Sequence, residues 1–347
     1  MTFVDALISQ ATEAGFWVIL AARAKYAAGW NPPEAAYDVW NDRKLRRRMY
    51  EMWGAVARRY RWTDRIAGYE IMSEPRTKVI NQAAVRDFMR GGCEAVHTED
   101  AGALCVVGPR PYYKLWELND DVLQPAGSNT LYTFDFFVPK AFVESDRAKG
   151  IAEDCSHGEG CRGPWFPGDY RCKDVYDTWW RGKPGCHGSE SKIHIDAAWI
   201  KETLQKHAVG FAQRHNVPVH CNQWGVKDEV FEANGRVRYA QAMLDSFTEY
   251  SISSTYWIWR SYTKGGRDVN APVWGFELVH NDGPHEALDA TMLSALQSGF
   301  LRTALANPGN LEPCGAGAAS VASRFDVTAS NLTLDAKRMA MGQPMTL

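Results

Sequence analysis

Six apolar runs alternate with stretches of helical periodicity, and this alternation limits the fold of the chain more than any other feature of its sequence. The runs are rich in β-branched and aromatic residues and occupy residues 16–22, 66–72, 103–109, 130–138, 217–226 and 254–262. The periodic stretches predict helices at about 3–14, 42–60, 82–97, 196–214, 235–249 and 287–303. Strands that are separated by helices pair in parallel, so the sequence predicts an α/β fold on a parallel sheet.

Polar and aromatic side chains recur where the predicted strands end. They are Tyr26 and Trp30, Glu74, Arg110, Asp135, Gln223 with Trp224, and Trp257 with Trp259. A doubly wound sheet would be expected to carry a glycine-rich phosphate loop, and neither G-x-G-x-x-G nor G-x-x-x-x-G-K-[ST] occurs. Barrel enzymes keep their functional groups at the carboxyl ends of the strands. The pattern therefore favours a TIM-barrel-like (β/α) fold, with a single domain over residues 1–303 and a C-terminal tail over 304–347.

Charge and composition argue against several functional classes. The net charge of −2 gives no attraction for nucleic acid or an anionic membrane. No window approaches the roughly 18 apolar residues of a membrane span, and the N-terminus lacks the pattern of a signal peptide. His194, His215 and His220 show no ligand spacing, and we expect neither a metal nor an organic cofactor. The 14 Trp, 14 Tyr and 14 Phe either fill a core or provide stacking platforms for sugar rings.

Four of the eight cysteines lie close together, at Cys155, Cys161, Cys172 and Cys186. They fall in a Gly-rich segment, 145–192, that shows neither helical nor strand periodicity and reads as an insertion after the fourth apolar run. Two disulfides would staple such a segment, whereas a zinc site would use the same thiolates. Because the spacings lack paired C-x₂₋₄-C, they favour disulfides and hence a secreted or periplasmic protein.

The segment "GYEIMSEPR" (68–76) ends a buried strand on an acid that is followed by proline. Pro75 cannot donate to a sheet ladder, so the strand must stop there. An acid at the carboxyl end of a parallel strand is typical of a barrel's catalytic group. Glu74 is therefore either a catalytic acid or simply a polar strand end.

Taken together, these strand ends resemble glycoside hydrolase family 5, the cellulase-like retaining hydrolases. "AGYEIMSEPR" is similar to the family's fourth strand, which usually ends Asn-Glu-Pro, and "VPVHCNQWGV" to its seventh, which usually ends Glu-Phe-Gly or Glu-Trp-Gly. "NTLYTFDFFVP" resembles the sixth strand, "TYWIWRSY" the eighth, and "GFWVIL" the third. The resemblance covers roughly residues 3–303 and implies a glycoside hydrolase that acts on a β-linked glucan or related oligosaccharide.

The resemblance also assigns roles to residues. It implies that Glu74 is the general acid/base and that Gln223 occupies the position of the nucleophilic Glu. Ser73 stands for the Asn that holds the sugar's 2-hydroxyl, and Asp135 and Phe137 stand for the family's His and Tyr. The substrate-binding candidates are Ser73, Tyr26, Trp30, Arg110, Phe137, Trp224, Trp257 and Trp259.

Gln223 departs from the chemistry that the resemblance implies. A retaining glycosidase needs two carboxyl groups about 5 Å apart, and an amide oxygen is too weak to attack the anomeric carbon. Either Gln223 stands where the natural chain has Glu, or the chain is naturally divergent and Asp135 acts as a base or nucleophile beside Glu74. Asp135 pairing with a nearby Arg such as Arg110 is the structural alternative. A non-catalytic carbohydrate-binding protein on a degenerate barrel is the alternative function.

The family's first two strands have no counterpart in this sequence, which predicts an incomplete barrel. Six parallel strands cannot close a barrel with ordinary tilt and shear, so two open edges would expose unpaired backbone. Strand-like stretches in the tail, at 323–329 and 332–335, or a homo-oligomer contact are expected to cover the gap.

Overall fold

Six parallel strands form the central sheet of this protein. The structure is a computed structural model, and it describes residues 2–23, 39–40, 42–75, 82–125, 128–145, 164–176, 179–227, 235–259, 276–282 and 285–306. Its strands are β1 Val18–Ala21, β2 Ile66–Glu70, β3 Leu104–Val107, β4 Thr130–Phe136, β5 Gly168–Arg171, β6 Lys192–Ile195, β7 Val219–Trp224, β8 Ser253–Tyr256, β9 Val279–Asp282 and β10 His285–Leu288. The sheet has the order β1-β2-β3-β4-β7-β8, and the remaining strands form two separate two-stranded antiparallel sheets, β5-β6 and β9-β10.

Helices separate most strands of the parallel sheet, as the alternation predicted, but between β3 and β4 the described residues form only two short 3₁₀ helices, Leu115–Glu117 and Asp120–Val122. They are α1 Thr2–Glu13, α2 Arg43–Tyr60, α3 Gln82–Glu99, α4 Lys140–Val143, α5 Cys172–Tyr176, α6 Ala197–Leu204, α7 Gly210–His215, α8 Arg236–Tyr250 and α9 Ala290–Ala306. A π-helical segment, Gln205–Val209, joins α6 to α7. Side chains fix two helix starts, because Asp42 accepts from the backbone N–H groups of Lys44 and Leu45, and Asp196 accepts from that of Trp199.

The sheet is a curled half-barrel, so the predicted incomplete TIM-barrel-like fold is confirmed. Strands β1 and β8 lie at its two edges. Beyond the end of β8, the chain at Leu278 continues this edge, since its backbone N–H donates to the carbonyl oxygen of Ile258 at 2.9 Å. The tail that was expected to cover the opening lies outside the described residues.

The core lies between the sheet and the helices packed on its outer surface. Trp53 of α2 donates its indole N–H to the Ile71 carbonyl oxygen at 3.1 Å, and its ring meets that of Tyr69 edge to face. Two strands further along the sheet, Tyr132 of β4 packs edge to face on Phe211 of α7. These aromatic contacts pack α2 against β2 and α7 against β4.

Two disulfides are present in the described residues. One joins Cys172 to Cys186, as expected for the insertion, while Cys155 and Cys161 lie outside the described residues. The other joins Cys93 of α3 to Cys105 of β3 and was not predicted, because the sequence shows only that each cysteine lies in a regular element. Two disulfides indicate an extracellular or periplasmic location.

The insertion contains more regular structure than its sequence predicted. Strands β5 and β6 pair with each other in antiparallel register, and α5 follows β5 directly. The prediction of a segment without regular structure was therefore wrong for residues 168–176, while β6 begins where the predicted insertion ends. Strand β5 is only four residues long and largely polar, so periodicity could not identify it.

Neither a metal site nor a membrane span is found in the part of the chain that the structure describes. No cluster of three or more His, Cys, Asp or Glu side chains there has an arrangement that would hold a metal ion. No helix there is long and apolar enough to cross a membrane. His220 is a satisfied core histidine, whose Nδ1 and Nε2 contact the hydroxyls of Ser253 and Thr255 at 2.9 and 3.2 Å.

Removing the α3–β3 disulfide should destabilise the fold. In the chain-entropy model a loop of this length contributes about 3 kcal/mol to the free energy of unfolding. The double variant Cys93→Ala, Cys105→Ala should lose roughly that amount in urea unfolding under non-reducing conditions. The matched double variant Cys172→Ala, Cys186→Ala removes the disulfide that closes a loop of similar length in the insertion, away from the sheet. Equal stability of the parent and the Cys93→Ala, Cys105→Ala variant would contradict the assignment of this bond.

Candidate active site

Polar side chains from four strands meet at the carboxyl edge of the sheet. Glu70 is the last residue of β2, and Glu74 follows it by four positions. Asp135 of β4 is the register partner of Gln223 in β7. Arg23 comes two residues after the end of β1. The structure therefore brings together three of the sequence-predicted residues, Glu74, Asp135 and Gln223, at one edge of one sheet.

Glu74 lies in a turn whose backbone is held from both sides. The backbone N–H of Ser73 donates to the carbonyl oxygen of Ala22 at 2.8 Å, and that of Tyr112 donates to Pro75 at 3.3 Å. Glu74 itself has a φ of 47°, in the left-handed region that non-glycine residues rarely adopt. Its Oε2 lies 3.3 Å from Nη2 of Arg23. This turn presents the carboxylate beyond the strand end rather than within the sheet.

Glu70 is a second carboxyl group at this edge, and it is almost fully buried, with 3% of the residue exposed. Asn222 donates from Nδ2 to Glu70 Oε1 at 3.3 Å. Burial raises the pKa of Glu70 to about 7, although the neighbouring polar side chains of Ser73, Tyr113 and Asn222 act to lower it. A carboxyl group with a pKa near neutrality is suited to exchanging a proton.

Tyr113 forms one wall of the site, and Gly108 makes room for it. The Tyr113 hydroxyl donates to the carbonyl oxygen of Met72, and the side chain is fully buried. A Cβ atom on Gly108 would lie 2.5 Å from the Tyr113 ring and 2.7 Å from the Thr133 carbonyl oxygen. Any side chain at position 108 would therefore displace the wall against which Glu70 lies.

Asp135 is a third carboxyl group, and it is buried. Its backbone N–H donates to the Tyr113 carbonyl oxygen at 2.6 Å, while Oδ1 has no hydrogen-bond partner among the described residues. Burial raises its pKa well above the usual range, and the charges of Glu74 and Glu70 add to this effect. Arg23, rather than Arg110, is the cation whose charge opposes the shift. This environment favours the protonated acid, which suits a proton or hydrogen-bond donor better than the base or nucleophile considered from the sequence.

A β-bulge in β7 shapes the region around Gln223. Phe134 pairs with Cys221 and Asp135 pairs with Gln223, so Asn222 is the extra residue. The backbone N–H of Gln223 lies near enough to the Asp135 carboxyl group to act against the rise in its pKa. The bulge thus lets Asn222 reach Glu70 while the next residue contacts Asp135.

Trp224 was predicted to line the cleft, but it does not. It is fully buried, and its ring packs edge to face on Phe247 of α8 and Tyr256 of β8. Successive residues of a strand point to opposite faces, so a residue next to Gln223 turns toward the helices. The prediction was wrong because this alternation was not applied.

The other predicted substrate-binding residues occupy different positions. Trp257 and Trp259 lie after β8 rather than within it, so the two-residue period does not place them on one face; Trp259 is 37% exposed. Phe137 is half-buried and packs edge to face on Phe276, with ring centroids 5.6 Å apart. The backbone N–H of Arg110 donates to Gln82 Oε1 at 2.8 Å. Tyr26 and Trp30 lie outside the described residues.

Four residues of the site were not identified from the sequence, namely Arg23, Glu70, Tyr113 and Asn222. Glu70 carried a usable signal, since an acid inside the apolar run "GYEIM" must be either paired or functional. Arg23 carried a weaker one, as a charged residue just past a strand end. Tyr113 and Asn222 depend on a turn and a bulge that no periodicity reveals.

The chain matches the model of one protein family, described as cellulase (glycosyl hydrolase family 5), over residues 1–263. The chain belongs to glycoside hydrolase family 5. Membership of this family makes it a glycoside hydrolase or a related carbohydrate-binding protein. No curated protein matches it.

Several solved structures share the fold of this chain. The structure of the cellulose synthase subunit Z from Clostridioides difficile matches with a TM-score of 0.57 and 16% identity, over 85% of this chain and 79% of the other. Cel5A from Thermotoga maritima matches in complex with cellobiose and, in another structure, with mannotriose. Both matches have a TM-score of 0.56 and 14% identity, over 85% of this chain and 77% of the other. At such identities the likeness establishes the fold alone.

Glu70 should make the stability of the protein depend on pH. An ordinary Glu releases its proton near pH 4.5, whereas folded Glu70 retains it to about pH 7. Between these values the folded state binds more protons, so the contribution of Glu70 to the free energy of unfolding falls as pH rises. Glu70→Gln should therefore gain on the order of 3 kcal/mol relative to the parent between pH 4 and pH 8, as measured by chemical unfolding.

The matched control is Glu94→Gln, since the Glu94 side chain is 70% exposed on α3. The stability of this variant should follow that of the parent across the same pH range. Parallel pH profiles for Glu70→Gln and the parent would show that Glu70 titrates normally.

Proposed function

We propose that this chain carries the site of a glycoside hydrolase that cleaves or, with Gln223, binds a β-linked glucan or a related oligosaccharide, and in which Glu74 is the general acid/base. The observation that carries this proposal is the meeting of Glu70, Glu74 and Asp135 with Arg23 at the carboxyl edge of a barrel-like sheet. Carboxyl groups in different environments are what a glycosidase needs for its acid and its base.

Each residue of the site has a role in the proposed reaction. Where position 223 carries a carboxylate, that carboxylate attacks the anomeric carbon while Glu74, held beyond the strand end, gives a proton to the departing glycosidic oxygen. Water that Glu74 deprotonates then releases the sugar from the enzyme. Asp135, kept protonated by burial, donates a hydrogen bond to a sugar hydroxyl. The charge of Glu74 raises the pKa of Glu70, so the two carboxyl groups titrate as a coupled pair. Arg23 orients Glu74 by donating from Nη2 to Oε2.

Gln223 sets the limit of this chemistry. In the proposed alignment with the family it takes the place of the nucleophile, and its amide cannot attack the anomeric carbon. The chain with Gln223 is therefore expected to bind its glycan with little turnover. This expectation also favours the second candidate function, a non-catalytic carbohydrate-binding protein on the same fold.

The substrate class is proposed from two observations. Trp257 and the partly exposed Trp259 follow β8 at the edge that carries the carboxyl groups, where an aromatic ring can stack on a sugar. Solved structures with the same fold hold cellobiose and mannotriose, both of which are oligosaccharides.

We further propose that the protein is secreted or periplasmic, in keeping with its disulfides, and that a second copy of the chain covers the open edge of the half-barrel.

Restoring a carboxylate at position 223 should restore hydrolysis. Gln223→Glu is expected to cleave an aryl β-glycoside or a soluble β-glucan with retention of the anomeric configuration. Because loss of a nucleophile typically costs several orders of magnitude in kcat, the gain over the parent should be about 10³-fold or more. Reducing-sugar release and NMR of the first-formed anomer measure both outcomes.

Two further variants make this experiment decisive. Glu74→Gln in the Gln223→Glu background should abolish the activity. Asp135→His in that background removes a carboxyl group that would otherwise crowd the restored glutamate, since the two positions are register partners. If neither Gln223→Glu nor its combination with Asp135→His turns over a glucan that the protein binds, the hydrolase proposal fails and the binding function replaces it.

A further inference from the structure

A separate pocket, here called the lateral pocket, lies between the insertion and the helix that follows it. Its volume is about 330 Å³, and its lining includes Trp116, Tyr176, Lys183, Trp199, Glu202 and His207. Small-molecule sites begin at about this size. None of the carboxyl groups of the candidate active site contributes to it, so the proposed reaction does not account for its composition.

Three aromatic rings form a continuous wall of this lateral pocket. The rings of Trp116 and Tyr176 meet edge to face with centroids 5.2 Å apart, and Trp199 lies 6.5 Å from Tyr176. Trp116 and Trp199 are each partly exposed, and both line the pocket. An apolar wall of flat rings suits a sugar, because one face of a sugar ring presents C–H groups. A purely polar ligand has no such face.

Polar groups converge on the same space. The Lys183 ammonium lies 4.8 Å from the Trp116 ring centroid and 3.8 Å from Glu117 Oε1, and its side chain is only 15% exposed. Burial, with the charges of Lys206 and Lys183, lowers the pKa of His207, so its neutral ring offers one donor and one acceptor. The indole N–H of Trp116 is buried and has no acceptor among the described residues. Donors and acceptors around an aromatic wall are what a ligand with many hydroxyls requires.

A disulfide and a π-helical segment form part of the walls of the lateral pocket. The Cys172–Cys186 disulfide ties the start of α5 to the loop that carries Lys183. The opposite wall includes Lys206 and His207, which lie in the π-helical segment Gln205–Val209. Single π-helical turns inside α-helices are frequent at functional sites.

The lateral pocket is linked to the active site through the segment that follows β3. Trp116 lies three residues beyond Tyr113, which forms a wall of the active site. Between them, the Lys114 ammonium lies 5.9 Å from the Trp116 centroid, 4.0 Å from that of Trp179 and 5.8 Å from that of Tyr112. Lys114 thus contacts aromatic rings on the segment between the two regions.

We infer that the lateral pocket is a second carbohydrate-binding site, which holds a neutral β-linked glycan apart from the catalytic carboxyl groups. The choice of a β-linked glycan rests on the proposed function, whereas the choice of a sugar rests on the aromatic and polar lining. Such a site raises the affinity of the protein for a polymer, because a long chain that is bound there is retained near the cleft.

Affinity electrophoresis in gels containing soluble β-glucan tests this inference. Trp199→Ala should weaken retention about fivefold, as expected for the loss of one stacking ring. The double variant Glu202→Ala, Lys206→Ala removes exposed polar side chains from the lateral pocket with little effect on folding, and it should also weaken retention. Trp62→Ala is the matched control, because Trp62 is 85% exposed on another part of the surface. Its retention should equal that of the parent.

The same variants in the Gln223→Glu background separate this inference from the proposed function. Hydrolysis of a small aryl β-glycoside involves the active site alone, so Trp199→Ala should change it no more than Trp62→Ala does. Unchanged glucan retention in both lateral-pocket variants, with hydrolysis intact, would overturn the second site and leave the proposed function standing. Absence of glucan retention by the parent would overturn the second site, and absence of hydrolysis as well would overturn both.

Discussion

The free-energy cost of burying several carboxyl groups close together determines the electrostatics of the candidate active site. Glu70 and Asp135 are both buried, and Glu74 lies close enough to raise the pKa of each. A buried carboxylate without compensation is so unfavourable that the group keeps its proton instead. The guanidinium of Arg23 compensates part of this charge from the end of β1. The first strand of the half-barrel therefore contributes to the electrostatics of the site as well as to its framework.

The backbone around the carboxyl groups follows from the same requirement. Each carboxyl group needs donors, and regular strands supply none to a side chain at their end. The β-bulge at Asn222 directs an amide toward Glu70, and the Gln223 backbone N–H reaches Asp135. Gly108 leaves space for Tyr113, whose carbonyl oxygen in turn accepts the backbone N–H of Asp135. These irregular features are concentrated at the edge that carries the chemistry.

The sequence predicted the fold better than it predicted the site, for a physical reason. Strand and helix periodicity is local, so the alternation placed β1, β2, β3, β4 and β7 within a few residues of their observed bounds. It failed at β8, which ends before Trp257 and Trp259, and in the insertion, where strand β5 is short and largely polar. The Cys93–Cys105 bond needed a tertiary contact between α3 and β3, which no spacing rule contains. Trp224 and Glu70, by contrast, were within reach of the sequence, through strand alternation and through an acid in an apolar run.

Asp135 and Gln223 are best understood as a pair. They are register partners on adjacent strands, so a glutamate at position 223 would add a negative charge beside a carboxyl group that is already buried next to two others. Two neighbouring carboxyl groups cannot both ionise cheaply, and Asp135 would then compete with the glutamate for one proton. A neutral amide at position 223 removes that repulsion. In the proposed alignment the family has a histidine in place of Asp135, and a histidine can carry a positive charge that favours an ionised nucleophile. The two departures thus compensate each other electrostatically.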